Sequence, residues 1–174
     1  MTEEITVELR EVIPEDAVDI LALLKQVGQE TDYLLLGTEQ QVLTVAQEKE
    51  YLQNRIDLPN NLMLVAIAGN KIIGLASVTA DTNKKIQHVG EIGISILKDY
   101  WGFGVGSLLL DELIYWSQTT GLIRRLELTV QERNQRAVRL YEKFGFQTEG
   151  LMERGICLNG DFHSVRLMSL LIDG

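Results

Sequence analysis

Three glycines at alternate positions, Gly102, Gly104 and Gly106, lie between an apolar run typical of a strand and a pattern typical of a helix. Glycine adopts positive φ at little cost, so such a cluster lets the chain turn sharply from a strand into a helix. Backbone N–H groups and the helix dipole both attract anions at a helix N-terminus. The cluster therefore predicts a loop that holds a phosphate or pyrophosphate. A turn that only bends the backbone is the alternative.

The spacing of these glycines excludes two familiar nucleotide sites. A nucleotide P-loop needs Lys followed by Ser or Thr, whereas Gly106 is followed by Ser107 and Leu108. The dinucleotide pattern G-x-G-x-x-G needs its third glycine one residue later than Gly106. Neither ATP nor NAD is supported as the ligand.

Apolar periodicity along the chain alternates between the pattern of strands and that of helices. Strands are predicted at 5–9, 62–68, 72–80, 87–97, 124–130, 146–158 and 162–172. Helices are predicted at 14–26, from Thr38 towards Pro59, from the glycine loop to Gly121, and from Asn134 to Gly145. This order predicts an α/β fold, a mixed sheet with helices on its faces.

Cap and turn residues mark several of these boundaries. Thr38 with Gln41 three residues later forms a capping-box pattern, which predicts that the second helix begins there. Asn134 is a favoured helix N-cap residue. Asn159 and Gly160 form a strong short hairpin signal, so the last two strands are expected to pair as one hairpin.

The chain length and composition predict one globular domain, residues 1–174, because 45% of the 174 residues are hydrophobic and 24% are charged. The polar first residues are unlike a leader, and no apolar run approaches the roughly 20 residues that span a bilayer. We therefore expect a soluble, cytoplasmic protein that binds no membrane.

Cysteine, histidine and net charge narrow the expected ligands further. Cys157 is the one cysteine, and with only His88 and His163 beside it the chain has no ligand set at metal spacing. The net charge of −9 argues against nucleic acid, whose phosphates require clustered Lys and Arg. The same charge mildly favours a cationic substrate. We expect neither a metal nor a nucleic-acid partner.

Two segments resemble the GNAT superfamily of N-acetyltransferases. The first, Trp101 to Gly106, is similar to the family's Gln/Arg-x-x-Gly-x-Gly/Ala motif after the fourth strand. The second, Asn134 to Phe146, looks like the family's Asn-x-x-Ala-x-x-Leu-Tyr-x-x-x-Gly-Phe segment. The segments follow in the family's order, and the predicted elements agree from Ile5 to Ile172. The resemblance thus covers nearly the whole chain.

This resemblance implies a mostly antiparallel sheet of six to seven strands, flanked by helices and splayed between the fourth and fifth strands. It also implies acetyl-CoA as co-substrate. Trp101 replaces the usual Gln or Arg, so the pyrophosphate contacts that the resemblance supports are those of the backbone. The implied cofactor-binding residues are Ile94, Ser95, Ile96, Trp101, Gly102, Phe103, Gly104, Val105, Gly106, Ser107, Asn134, Ala137 and Tyr141.

The implied reaction is direct attack of an amine on the thioester of acetyl-CoA, which requires groups that move protons. An alkyl amine has a pKa of about 10.4, so a base or a water chain must take its proton. Glu91 is the candidate base, since the family often places one on the fourth strand; an exposed strand carboxylate is the alternative. Tyr141 is similar in position to the family's general acid, and a core tyrosine is the alternative.

Other roles stay open at this point. Cys157 could be the nucleophile of a two-step transfer, or an inert thiol. His163 could line the acceptor pocket, although packing explains it as well. A non-catalytic acyl-CoA sensor or regulatory module of the same fold is the alternative to an enzyme. The acceptor is expected to be a small-molecule amine or a protein amine, and the resemblance also raises a homodimer, to which the strand 167–172 could contribute.

Overall fold

The computed structural model of the protein describes residues 4–34 and 43–173. Seven strands form one sheet. They are β1 (Val7–Glu11), β2 (Leu62–Ala68), β3 (Lys71–Thr79), β4 (Val89–Ile96), β5 (Arg125–Gln131), β6 (Gln147–Leu158) and β7 (Asp161–Leu171). The α-helices are α1 (Ala17–Glu30), α2 (Val45–Ile56), α3 (Val105–Thr120) and α4 (Gln135–Lys143).

The sheet has the strand order β1-β2-β3-β4-β5-β7-β6. Every neighbouring pair is antiparallel except β4 and β5, which run parallel because α3 connects them as a crossover helix. The prediction of a mixed, mostly antiparallel sheet that splays between its fourth and fifth strands is confirmed. No helix among the described residues has the length and apolar character needed to cross a membrane.

The start of the second helix differs from its prediction. The helix begins at Val45, with Thr44 as N-cap: the Thr44 hydroxyl accepts from the Gln47 N–H at 3.2 Å, and the Gln47 side chain accepts from the Thr44 N–H at 2.9 Å. A continuous helix from Thr38 is therefore wrong, since Leu43 and Thr44 are not helical. Thr38 and Gln41 themselves lie outside the described residues. Thr38 with Gln41 and Thr44 with Gln47 fit the same capping-box pattern, and the helix begins at the second pair.

The last hairpin turns where its sequence predicts. Asn159 and Gly160 have φ of 51° and 85°, as a two-residue turn with both central residues at positive φ requires. The turn places β6 at one edge of the sheet, beside β7.

Gly90 permits the closest packing in the core beneath β4. A Cβ atom added there would lie 2.5 Å from Val78 Cγ1 and 3.3 Å from Leu126 Cδ2, on β3 and β5 respectively. Both neighbours are fully buried and have little room to move. A glycine is needed because three strands pack together at this point.

Replacing Gly90 with alanine is expected to lower the free energy of unfolding by about 1–3 kcal/mol, the usual cost of overpacking a core. Gly150→Ala is the matched control, because a Cβ there would meet no atom within 4 Å. Urea unfolding of both variants measures the difference. Equal midpoints for the two variants would show that Val78 and Leu126 can move aside for a methyl group at little cost.

Candidate active site

A V-shaped cleft opens between β4 and β5. The two strands pair at only three positions, ending with Glu91 opposite Glu127. Beyond this point β4 continues along β3 as far as Ile96, while β5 continues along β7 as far as Gln131. Residues 92–96 thus have no strand partner on their β5 side among the described residues. Backbone groups on that side can pair with a ligand, because strand backbone needs hydrogen-bond partners, although the Ile96 carbonyl already accepts from the Trp101 indole.

The side chains of β4 alternate between a packed face and an open face. Gly90 and the buried Ile92 belong to the packed face. Glu91, Gly93 and Ser95 share the opposite face, as their spacing predicts. Glu91 is exposed and lies at the vertex of the cleft, in the last residue pair before the strands part.

The glycine loop follows β4 after a short 3-10 turn, Lys98–Tyr100. Gly102 and Gly104 have φ of 86° and 82°, and a Cβ on either would meet nothing within 4 Å. These glycines are therefore required by the backbone conformation, and the space beside them is open. The prediction that the glycines connect a strand to a helix is confirmed.

The first turn of α3 presents backbone donors beside this loop. The first hydrogen bond within the helix runs from the Leu108 N–H to the Gly104 carbonyl, at 3.0 Å. The N–H groups of Val105, Gly106 and Ser107 precede it, so they have no acceptor within the helix. Free N–H groups at the positive end of a helix dipole suit a phosphate.

Trp101, at the first position of the motif, has two contacts that the sequence did not predict. Its indole Nε1 donates to the Ile96 carbonyl oxygen at 2.9 Å. The guanidinium of Arg136 lies over its ring, 4.8 Å from the centroid. Trp101 therefore ties the end of β4 to the first turn of α4.

Helix α4 begins at Asn134, whose side-chain oxygen accepts from the Ala137 N–H at 3.3 Å and caps the helix. The helix also packs near the glycine loop. A Cβ at Gly106 would lie 3.2 Å from Leu140 Cδ2 and 3.5 Å from Ile96 Cδ1. The end of β4, the first turn of α3 and the side of α4 thus meet at one end of the cleft.

Tyr141 lies on the buried side of α4 with 9% of its surface exposed. Its ring packs edge-on against Phe146, with 5.6 Å between ring centroids. Burial raises the pKa of Tyr141 to about 12, because the charged phenolate is poorly solvated there. The hydroxyl makes no hydrogen bond to another described residue. It is protonated at neutral pH and can act as a donor.

A bridge that the sequence did not predict joins the open ends of the two strands. On the β4 side, the Glu30 carboxylate accepts from the Lys98 N–H at 3.2 Å. On the β5 side, Gln131 Nε2 donates to the carbonyls of Asp32 and Tyr33 at 2.8 and 3.0 Å.

Arg133 strengthens the β5 side of this bridge. It forms an ion pair with Asp32 at 2.7 Å, and its guanidinium lies over the Tyr33 ring at 4.8 Å. Gln131 is only 3% exposed. A buried amide with two well-placed acceptors positions the chain that leaves α1, so residues 30–33 lie across the open end of the cleft.

The remaining candidates lie on the last hairpin. Cys157 is exposed on β6 and stands opposite Phe162, so the residue across from it offers no group that could activate a thiol. His163 is half-buried on β7 opposite Ile156.

Comparisons with known proteins identify the class of protein to which this fold and cleft belong. The model of the acetyltransferase (GNAT) family matches residues 32–146. The chain therefore belongs to the acetyltransferase (GNAT) family, and it is an acetyl-CoA-dependent acyltransferase.

Individual relatives span different shares of the chain. An acetyltransferase of the GNAT family from Streptococcus pneumoniae is 43% identical, with a TM-score of 0.93, and covers 96% of this chain and 100% of its own. The YncA protein of Salmonella typhimurium, solved with acetyl-CoA, has a TM-score of 0.85 at 18% identity, over 97% of this chain and 95% of its own. An L-amino acid N-acetyltransferase of Escherichia coli is 29% identical over 106 residues, 61% of this chain and 65% of that protein.

Replacing Gln131 with leucine removes the donor that the Asp32 and Tyr33 carbonyls share. We expect the free energy of unfolding to fall by about 1–3 kcal/mol, the cost of leaving buried polar groups unpaired. Thermal unfolding measures the change. The control is Gln118→Leu, because Gln118 is exposed on α3. If the two variants unfold alike, the bridge contributes little to stability.

Proposed function

We propose that the protein is an N-acetyltransferase, which transfers acetyl from acetyl-CoA to a primary amine by direct attack. The parting of β4 and β5 after three residue pairs carries this proposal, because it leaves backbone donors and acceptors beside a glycine loop and a helix N-terminus. A ligand with an amide-containing arm and a diphosphate fits this combination. Both membership of the family and the open cleft support it.

The binding residues follow the length of the cleft. Backbone groups of Ile94, Ser95 and Ile96 would pair with the pantetheine amides in place of a neighbouring strand. The N–H groups from Gly102 to Ser107 would hold the pyrophosphate, with Phe103 and Val105 inside that segment. Asn134 and Ala137 begin α4 on the same side of the cleft, where the Asn134 amide nitrogen is available to the cofactor.

Glu91 is proposed as the base. Its exposed carboxylate stands at the cleft vertex, on the open face of β4. Acetyl-CoA supplies a thioester, whose carbonyl carbon must meet a neutral amine nitrogen. The Glu91 carboxylate takes the amine proton, either directly or through a water. The neighbouring Glu127 is already engaged by Arg125 at 2.8 Å, so it is less suited to this role.

Tyr141 is proposed as the proton donor. Its pKa of about 12 keeps the hydroxyl protonated throughout the working pH range of an enzyme. The thiolate that leaves has a thiol pKa of about 8.5, so a hydrogen bond from the Tyr141 Oη stabilises the charge that develops on sulfur. As the C–N bond forms and the C–S bond breaks, the sulfur takes the proton of the Tyr141 hydroxyl, and solvent returns a proton to the phenolate, whose pKa lies above that of the thiol.

The acceptor is a small-molecule amine or a protein N-terminus or lysine. The E. coli relative is named for L-amino acids, which makes these the first acceptors to test. Acetyl-CoA binding by calorimetry, followed by thiol release against L-amino acids, polyamines and peptide N-termini, tests the proposal. Binding with thiol release for one class supports it and identifies the acceptor. Binding without release for any amine would favour the acyl-CoA sensor.

The Tyr141→Phe variant is expected to lower kcat roughly ten- to hundred-fold, within the range that a positioned proton donor supplies. The ring packing against Phe146 is kept, so thermal unfolding should be nearly unchanged. Steady-state thiol release measures kcat. An unaltered kcat would remove Tyr141 from the mechanism.

The Glu91→Gln variant is expected to lower kcat/KM for the amine roughly a hundred-fold and to change its pH profile, because the proton acceptor is lost. Glu127→Gln is the matched control, since Glu127 stands directly opposite on β5. The pH dependence of thiol release is measured for both variants. If Glu91→Gln behaves like the control, Glu91 is only an exposed strand carboxylate.

A further inference from the structure

The contact between Trp101 and Arg136 crosses the end of the cleft beside the glycine loop. The guanidinium of Arg136 lies 4.8 Å from the centre of the indole ring. A planar guanidinium stacks well on an aromatic face, because its charge meets the negative face of the π-system. The contact joins the residue before Gly102 to the second residue of α4.

Trp101 itself has no donor left for a ligand. Its one side-chain donor, Nε1, is bound to the Ile96 carbonyl at 2.9 Å. That hydrogen bond fixes the ring relative to the end of β4. The indole therefore acts as a fixed platform, and the guanidinium upon it is the polar group that the pair presents to solvent.

Arg136 lies where a helix ordinarily disfavours a cation. It belongs to the first turn of α4, at the positive end of the helix dipole. Neither α3 nor α4 has an acidic residue in its first turn, although the chain has 25 Asp and Glu against 16 Lys and Arg. Glu132, just before α4, is bound by Arg166 at 2.5 and 2.6 Å. An anion would relieve this concentration of positive charge.

The free donors of α3 lie at the same end of the cleft. Gly106 and Leu140 approach closely enough that an added Cβ would stand 3.2 Å from the leucine side chain. The first turn of α3 therefore packs on α4, one helical turn beyond Arg136. Backbone N–H groups and a guanidinium together match a phosphate better than either does alone.

We propose that Arg136, held by the Trp101 ring, is the side chain that binds the pyrophosphate of acetyl-CoA. This inference rests on the proposed function. The motif's usual Gln or Arg is absent at Trp101, and a guanidinium from α4 replaces it. The role of Arg136 is to bind the cofactor, and it takes no part in proton transfer.

The Arg136→Gln variant is expected to raise KM for acetyl-CoA roughly ten-fold, equivalent to about 1.4 kcal/mol, and to leave kcat within about two-fold. Arg139→Gln is the matched control: it removes the same charge from the same helix, and the Arg139 Nε donates only to the Gln135 carbonyl, at 3.2 Å. The control should leave KM within about two-fold. Equal KM values for the two variants would overturn the inference.

Shortened acetyl donors identify the phosphate. S-acetylpantetheine has no phosphate, so Arg136→Gln should use it as well as the wild type does. Acetyl-dephospho-CoA keeps the pyrophosphate, so the KM penalty should persist. A penalty that persists with S-acetylpantetheine would show that Arg136 supports the fold instead. A penalty that disappears with acetyl-dephospho-CoA would assign the contact to the 3′-phosphate and overturn the pyrophosphate assignment.

Variants of Trp101 test the platform. Trp101→Phe keeps an aromatic face and should raise KM less than about three-fold, whereas Trp101→Ala should match Arg136→Gln. In a double-mutant cycle, the Trp101→Ala and Arg136→Gln effects should not add. Full additivity would overturn the platform role. If Trp101→Ala does not fold, the cycle of Trp101→Leu with Arg136→Gln replaces it.

Acetyl-CoA binding and turnover by the wild-type protein distinguish a failure of the proposed function from a failure of the role proposed for Arg136. A wild-type protein that neither binds nor uses acetyl-CoA would overturn the proposed function as a whole. A wild-type protein with normal turnover, together with an Arg136→Gln variant of unchanged KM, would overturn only the role of Arg136.

Discussion

The rest of the structure depends on how far β4 and β5 stay paired. Three residue pairs hold the strands together, and at the middle pair Gly90 admits Val78 and Leu126 at distances that a side chain would prevent. Beyond Glu91 each strand follows its other neighbour, so the sheet opens without losing its outer hydrogen bonds. A ligand in the cleft can therefore pair with the backbone of β4 where β5 no longer does. The core fixes the position of the vertex, and with it the position of the proposed base Glu91.

The charged residues around the cleft are distributed differently from those of the chain as a whole. The chain is acidic as a whole, yet the two helices that begin at the cleft have no acidic residue in their first turns. Two of the nearby carboxylates are bound to arginines, Glu132 to Arg166 and Asp32 to Arg133. Backbone dipoles and Arg136 would thus act on the proposed diphosphate ligand from helix starts that have no acidic side chain of their own. A net negative protein can bind a polyanion because the positive potential is local.

Local signals in the sequence predicted much of this architecture. The glycine loop, the Asn134 cap and the Asn159–Gly160 turn each depend on residues adjacent in the chain, and the structure has all three. The start of α2 was missed because two capping boxes compete within a few residues. The bridge from Gln131 to Asp32 joins residues 99 apart in the sequence, and no periodicity reports such a contact. The stacking of Arg136 on Trp101 is equally non-local, so the sequence predicted the loop but not its guanidinium.

The outer strand of the last hairpin is irregular in a way that bears on association between molecules. β6 lies at one edge of the sheet, and its register shifts between Thr148 and Gly150 and again between Met152 and Ile156. In the second bulge Arg154 adopts a φ of 56°, and Gly155 stands where a Cβ would lie 2.8 Å from Val165. A long straight edge would offer a template on which another chain could add a strand. The two bulges interrupt that edge, so they disfavour strand addition along β6.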